Sequence, residues 1–407
     1  MKKNIALLFF ICILILYGCH IKNSSENYTK ETNVASIIYT QPPSITEKTP
    51  DEMAEDGIYM LEYAFGLYDC TKDMSGIRSI TFSNVKPHDY DECWNANIAD
   101  TDDIKGYLIG DDVVIVGEYI YTSKSCSHMF AAENSYGDQL WSNLIEVNGL
   151  ELLNTSYAED MTMMFAFSEL TELNGIEQWD VSNVKTFAGM FQGHSNSGDV
   201  KFKHLNVENW DTSSAENMSH MFYGCALMEY IPVENWDVSK VEIFSHMFAD
   251  CYGMKNIDFS KWETSSAKSF DGFLNDCHSL IVVDVTGLDT SNCIQFSQMF
   301  EACVNLEHII GLDTWDVSSA SYYAFSETFH CCYKLQEIDI SNWFVSPDNT
   351  ARMFKNCYKI TQVDMSNFDM SNIQTVTEMF MNTWCLTEIV GMESWDLTGV
   401  QGYETIR

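Results

Sequence analysis

Apolar residues recur along most of the chain in one spacing. Val241, Phe244, Met247, Phe248 and Cys251 stand at i, i+3, i+6, i+7 and i+10, and the same pattern returns as Ala267, Phe270, Phe273, Leu274 and Cys277, then as Cys293, Phe296, Met299, Phe300 and Cys303. This is the spacing of a helix with one buried face. After the Cys, apolar residues follow at +3, +6 and +8, as in Met254, Ile257 and Phe259. The last two show the period of two of a short strand. A Trp and then Asp-x-Ser close the unit, as in Trp236-Asp237-Val238-Ser239 and Trp315-Asp316-Val317-Ser318. A short polar side chain there suits the N-cap of the next helix. Each unit therefore predicts strand, turn, helix and return.

The Met-Phe pair, or a close substitute, ends at Phe165, Phe191, Phe222, Phe248, Leu274, Phe300, Phe329, Phe354 and Phe380, at intervals of about 26 residues. Ser127-His128-Met129-Phe130 reads as a degenerate first unit. A chain of 407 residues exceeds a single compact core, so stacked units are the expected solution. The predicted fold class is an α/β repeat: a curved, leucine-rich-repeat-like solenoid with a parallel strand stack, short helices on the other face and an N-terminal α+β cap. Curvature is expected because stacked strands lie about 4.7–4.9 Å apart whereas packed helices need about 8–10 Å, which puts the strands on the concave side.

Met247-Phe248-Ala249-Asp250-Cys251, Ile257-Asp258-Phe259-Ser260 and Phe368-Asp369-Met370-Ser371-Asn372 resemble units of the BspA-type leucine-rich repeat surface proteins, a family of bacterial lipoproteins with repeats of this length. The resemblance covers residues 123–407. It implies a surface-exposed protein that binds a host or matrix protein, or another surface protein, without naming the ligand.

The N-terminus supplies the expected route outward. Lys2 and Lys3, the apolar run Ile5–Leu16 and Leu16-Tyr17-Gly18-Cys19 read as a lipoprotein signal peptide over residues 1–19, with Cys19 as the lipidated residue. The alternative is an uncleaved apolar anchor; both export the rest of the chain. Residues 20–50 have the composition of a flexible tether. Residues 51–122 lack the repeat and are expected to cap the first coil, with a helix near Asp51–Tyr63 and a hairpin over Tyr107–Tyr121 turning at Gly110-Asp111. Residues 123–407 form the solenoid. The expected location is the bacterial cell envelope, lipid-anchored in the outer membrane or at the cell surface. At the C-terminal end Val400, Tyr403 and Ile406 continue at helical spacing, and this half-unit is expected either to close the stack or to leave an open end that self-associates.

Charge changes the picture by exclusion. With 22 Lys+Arg against 59 Asp+Glu, a net charge of −37 repels nucleic acid and anionic lipid. Among candidate chemistry, Cys225, Cys251, Cys277, Cys303, Cys332 and Cys357 fall one per unit at the last buried position, a column that packing explains without disulfides. Cys70 with Cys93, or Cys331 with a neighbour, are the better disulfide candidates. His128, His220 and His246 lack metal-ligand spacing, and neither metal nor cofactor is expected. Trp179, Trp210, Trp236, Trp262, Trp315, Trp343 and Trp395 alternate with Leu288 and Phe368, as a packing column does.

Asp residues form two columns. Asp180, Asp211, Asp237, Asp289, Asp316, Asp369 and Asp396 precede the capping Ser. Asp258, Asp284, Asp339 and Asp364 lie between inward strand residues and so face outward, either merely solvated or as a ligand surface. Departures from the repeat also mark binding positions: the insertion Ser195–Lys203, the pair Tyr322-Tyr323, and Trp384-Cys385. The candidate ligand residues are therefore Asp258, Asp284, Asp339, Asp364, Tyr322 and Tyr323. No nucleophile elbow, phosphate-binding loop or dinucleotide fingerprint occurs, and a non-enzymatic binding module is expected, with a glycan-binding or carbohydrate-active protein and a structural envelope protein as the alternatives.

Overall fold

The computed structural model describes residues 59–60, 74–96, 104–133, 139–194, 201–321 and 323–406. The expected signal peptide with Cys19, the tether, Cys70, Tyr322 and residues 195–200 of the insertion lie outside them. The chain divides into Met1–Glu47 and Lys48–Arg407, and every described residue belongs to the second unit.

The segments expected to be helical are not. Among the described residues there is no α-helix, only single 3-10 turns such as Leu312–Thr314 and Met370–Asn372. The stretch Phe244–Cys251 shows what replaces it. The amides of Met247, Ala249 and Cys251 each bond the carbonyl three residues back, at 3.1, 3.2 and 3.3 Å. The alternate amides of Phe244, His246, Phe248 and Asp250 reach instead to Ser269, Asp271, Phe273 and Asn275 of the next coil, at 2.8–3.1 Å. The backbone is thus a flat run of β-turns whose every second peptide joins a parallel ladder between coils. Such a run needs the left-handed region at every fourth residue, and His246 and Asp250 have φ of 56° and 59°. Gln298 with Ala302, Arg352 with Asn356 and Glu378 with Asn382 repeat it. For residues with a Cβ this conformation costs about 1 kcal/mol or more each, offset here by the inter-coil bonds and the burial they bring.

This turn run carries its inward side chains at i, i+3, i+4 and i+7, namely Phe244, Met247, Phe248 and Cys251, all fully buried. That spacing coincides with one face of a helix, and periodicity alone does not separate the two. With no helix to widen one side of the coil, the spacing argument for a curved stack and a concave strand face loses its basis.

The rest of each coil is short strand. β9 (Val282–Asp284) pairs in parallel with β10 (His308–Ile310), and β11 (Gln362–Asp364) with β12 (Glu388–Val390). A second line of parallel bridges runs Ser125, Asp160, Thr186, Asn217, Ile243, Ser269, Gln295 from coil to coil. Val283, Ile309, Val363 and Ile389 point inward on these strands.

The N-terminal part holds a different sheet. β2 (Ser79–Ser83), β3 (Glu92–Asn95), β4 (Lys105–Ile109), β5 (Asp112–Val116) and β7 (Glu146–Asn148) form the order β3-β4-β5-β2-β7. The hairpin expected around Gly110-Asp111 is β4–β5, antiparallel, with Gly110 at φ 65°. Tyr59–Met60, placed in a helix by sequence, is instead strand β1, parallel to β6 (Ile120–Tyr121), which in turn pairs with β8 (Leu153–Asn154). β2 also pairs in parallel with β7. The segment before residue 122 and the first coil after it therefore share sheets, and apolar side chains from Ile77 to Ile406 join one continuous core.

Stacking of equal coils turns each inward position into a column. Phe130, Phe165, Phe191, Phe222 and Phe248 stack ring on ring at 5.2–5.8 Å, Leu274 interrupts them, and Phe300, Phe329, Phe354 and Phe380 resume. The indole N–H groups of Trp179, Trp210, Trp236, Trp262, Trp315 and Trp343 each donate to a carbonyl of the preceding coil at 2.8–3.2 Å. The Cys column does likewise. Each thiol from Cys225 to Cys357 in that column donates to the preceding coil at 3.0–3.4 Å, and none forms a disulfide. Cys93 and Cys331, the described members of the expected disulfide candidates, are also free thiols.

Candidate interaction face

Corners of the coils are closed by a side chain that accepts from the amide two residues on, the Asx or ST turn. The Asp column before the capping Ser does so throughout: Asp180, Asp211, Asp237, Asp289, Asp316, Asp369 and Asp396 take the amides of Ser182, Ser213, Ser239, Ser291, Ser318, Ser371 and Thr398. The outward strand column makes the same bond. Asp258, Asp284, Asp339 and Asp364 accept from Ser260, Thr286, Ser341 and Ser366 at 2.8–3.2 Å. For Asp258 this backbone bond, with the Ser260 hydroxyl, holds its carboxyl below the ordinary value. One oxygen of each carboxylate is thus committed to the fold, and the other remains available at the surface. The row is also broken, because Ile310 stands opposite Asp284 in the ladder. Tyr323 lies elsewhere, on the turn run, exposed by 60% and left-handed at φ 62°, with its amide donating to Asp348. The structure therefore places Tyr323 and the strand Asp residues on different segments of the coil.

The outward positions of the turn run hold what the sequence reading did not assemble. The position after the Cys column, or after Thr383 where the last unit replaces it, is aromatic in five units and forms rows on the surface. Tyr252 stacks with His278 at 4.7 Å, and Tyr333, Tyr358 and Trp384 stack at 4.9 and 4.6 Å with ring planes within 11°. Trp384 is 75% exposed. Trp384 stands out in the sequence as a departure from the repeat, and aligning the units by their Met-Phe pair puts it in register with Tyr333 and Tyr358.

Beside this row runs a polar one. Arg352 bridges Glu327 at 2.8 Å and Glu378 at 3.1 Å, and Lys355 also meets Glu378 at 2.6 Å. Gln298 donates to Glu327 at 2.8 Å. Glu301 accepts from Asn275 at 3.1 Å and pairs with His330 at 2.9 Å. Asn356 donates to the Cys331 sulfur at 3.3 Å and accepts from Asn382 at 2.8 Å. Five successive coils thus contribute side chains to this polar surface.

Other surface features are sparser. The groove beside the insertion has a volume of about 750 Å³ and is lined by Glu172, Asn174, Lys201, Lys203, His204 and Leu227. His128, His220 and His246 are half-buried on left-handed turn positions. The rings of His220 and His246 stack at 5.0 Å, and among the described residues no cluster of His, Cys, Asp and Glu could hold a metal ion. No helix among them is long and apolar enough to cross a membrane.

Inter-coil ladders, inward columns and outward rows define a repeat protein whose surface is written in lines along the stack. The family model described as "Mycoplasma protein of unknown function, DUF285" matches residues 124–229, 159–282, 194–310 and 273–395 in overlapping frames, as a repeated unit should, and these together span most of the chain. The chain belongs to the DUF285 family. Among solved structures it is similar to a leucine-rich repeat protein from Bacteroides ovatus, at 13% identity over 77% of this chain and 68% of that one, with a TM-score of 0.32. No curated protein matches it.

Proposed function

We propose that the chain is a BspA-type surface lipoprotein: a repeat solenoid exported to the bacterial envelope, held there by lipid on Cys19, and binding a host or matrix protein, or another surface protein, without catalysis. The observation that carries this reading is the exposed row Tyr333, Tyr358 and Trp384 with the charged network Glu327, Arg352, Glu378 beside it. Aromatic side chains with Arg, flanked by polar groups, are what protein-binding hot spots are built from. A linear, open surface suits an extended macromolecular partner more than a small substrate.

The test is saturable binding of the full chain to a panel of host matrix proteins at physiological salt, compared with a Y333A/Y358A/W384A variant. We expect at least a tenfold loss in the variant; absence of saturable binding to every member sinks the reading. Metabolic labelling with a fatty acid, lost in Cys19→Ser, tests the anchor. A second reading, glycan binding, is favoured by the open ring of Trp384, on which a sugar face can stack. A glycan array with the same variant separates the two.

A further inference from the structure

Cys331 and Cys332 are neighbours in sequence with opposite environments. Cys332 is fully buried and its thiol donates to the Phe300 carbonyl at 3.0 Å. Cys331 is half-buried, in the left-handed region at φ 62°, and its sulfur accepts a side-chain hydrogen bond. Asn356 donates its amide N–H at 3.3 Å, and the adjoining His330 imidazole and the Tyr333 hydroxyl are the sulfur's other polar neighbours. His330 is held from behind by the Glu301 carboxylate at 2.9 Å, and Glu301 is itself fixed by Asn275. Donors facing a sulfur favour its thiolate, which only accepts. A thiol beside an imidazole that a carboxylate orients is the arrangement that activates cysteine.

We propose that the Cys331–His330–Glu301 cluster is a nucleophilic thiol site that captures small aliphatic disulfides as mixed disulfides. The Cys331 thiolate attacks one sulfur of the disulfide, a new S–S bond forms, and the old S–S bond breaks. The second sulfur leaves with that electron pair and takes a proton from solvent. Cys331 is thereby oxidised to the disulfide level and one sulfur of the reagent is reduced to a thiol; no further oxidant is required.

The charge balance at the site agrees. Burial pushes the Cys331 thiol up, but His330, Asn356 and Tyr333 outweigh it and bring it below the ordinary value. Burial pulls the His330 imidazole down, and Cys331 and Glu301 outweigh that and hold it at about 9. The column cysteines differ in kind: burial pushes Cys303 up to about 12 and Cys332 well above the ordinary value. Cys93 and Cys385 are exposed, so access alone does not distinguish Cys331 from them.

The site does not depend on the binding role proposed above. The experiment treats the reduced full chain with 2-hydroxyethyl disulfide at pH 6 and pH 9, quenches with acid and quantifies each cysteine peptide by mass spectrometry. The Cys331 thiolate is the more populated form at pH 6 but gains less in rate than in population, because nucleophilicity falls with basicity, so Cys331 should react at least about threefold faster than Cys93 and Cys385 at pH 6. At pH 9 the advantage should vanish. His330→Gln should remove it at pH 6 while leaving the reaction at pH 9, with Cys332 unreacted in both chains as a check that the coil is intact. Equal rates at pH 6 in the unsubstituted chain overturn the proposal, and so does an unchanged advantage in the variant. Should His330→Gln expose Cys332, Glu301→Gln serves in its place under the same criteria.

Discussion

The same coils carry two aromatic ladders of nearly identical geometry. Phe329, Phe354 and Phe380 stack at 5.4 and 5.3 Å inside; Tyr333, Tyr358 and Trp384 stack at 4.9 and 4.6 Å outside. Stacking distance therefore does not tell folding from function. What differs is water. The inner rings leave solvent on all sides when the chain folds, and each contributes about 2–3 kcal/mol of burial as well as ring contact. The outer rings meet only at their faces and keep their edges wet. Cys332 and Cys331 repeat the contrast in one dipeptide, the first donating inward to backbone, the second accepting from the Asn356 side chain at the surface.

The sharpest way to break this comparison is truncation of one ring from each ladder. Phe354→Ala should lower stability by about 3–5 kcal/mol and Tyr358→Ala by less than about 1 kcal/mol, read as shifts in urea midpoint by Trp fluorescence. Comparable losses would mean that the outer ladder also holds the coils together.

Next in size is the indole column. Trp236→Phe leaves the Val207 carbonyl without its 2.8 Å donor and should cost about 1–3 kcal/mol in the same assay. Trp395 is half-buried and its indole N–H has no partner, so Trp395→Phe should cost clearly less. The reverse order would show that burial alone, not the bond to the preceding coil, ranks these positions.

Titration separates two half-buried histidines on the turn run. Burial first, and the neighbouring His246 second, pull His220 down to about 4. The unfolded chain then takes the proton first, so stability is complete above about pH 6.5 and falls as pH drops toward 4, by on the order of 1–2 kcal/mol. His330, held at about 9, has the opposite sign: its contribution is complete below about pH 6.5 and is lost as pH rises through 9. Thermal midpoints from pH 4 to 10 should show both limbs, with His220→Asn flattening the acid one and His330→Gln the alkaline one. An acid limb unchanged by the His220 substitution would refute its assignment.

The smallest effect is at the Asx corners. Asp237→Ala should cost about 0.5–1 kcal/mol by urea unfolding. The Ser239 hydroxyl and amide hold the Asp237 carboxyl below its ordinary value, so this contribution is present above about pH 4 and is lost as pH falls through the folded value. Asp237→Asn keeps the acceptor and should remove that pH dependence; a variant with the original acid limb would locate the effect elsewhere.

Much of this molecule was legible as periodicity. Phe244, Met247, Phe248 and Cys251 are buried as their spacing requires, the Trp and Cys residues are packing columns, and Gly110-Asp111 turns a hairpin. The helix was misread because a run of β-turns bonded to neighbouring coils buries residues at the same i, i+3, i+4 spacing as a helix bonded to itself. Only the partner of the Phe248 amide distinguishes them, and that partner is the Phe273 carbonyl of the next coil.

Of the candidate site, the strand Asp residues were identified as outward, but their bonds to the amides two residues on were not anticipated. The cluster at Cys331 was legible only as a cysteine outside the column. Its partners come from adjacent coils, Glu301 lying 29 residues from His330 and Asn356 lying 25 from Cys331, offsets that differ because coil lengths differ.

By itself, then, the sequence determined which side chains leave water, since burial follows from apolar spacing whatever backbone delivers it. Tertiary stacking alone decided which backbone that is, and which outward residues meet. Inter-coil hydrogen bonds compensate left-handed turns that no isolated unit would hold, and they bring side chains from separate coils within bonding distance.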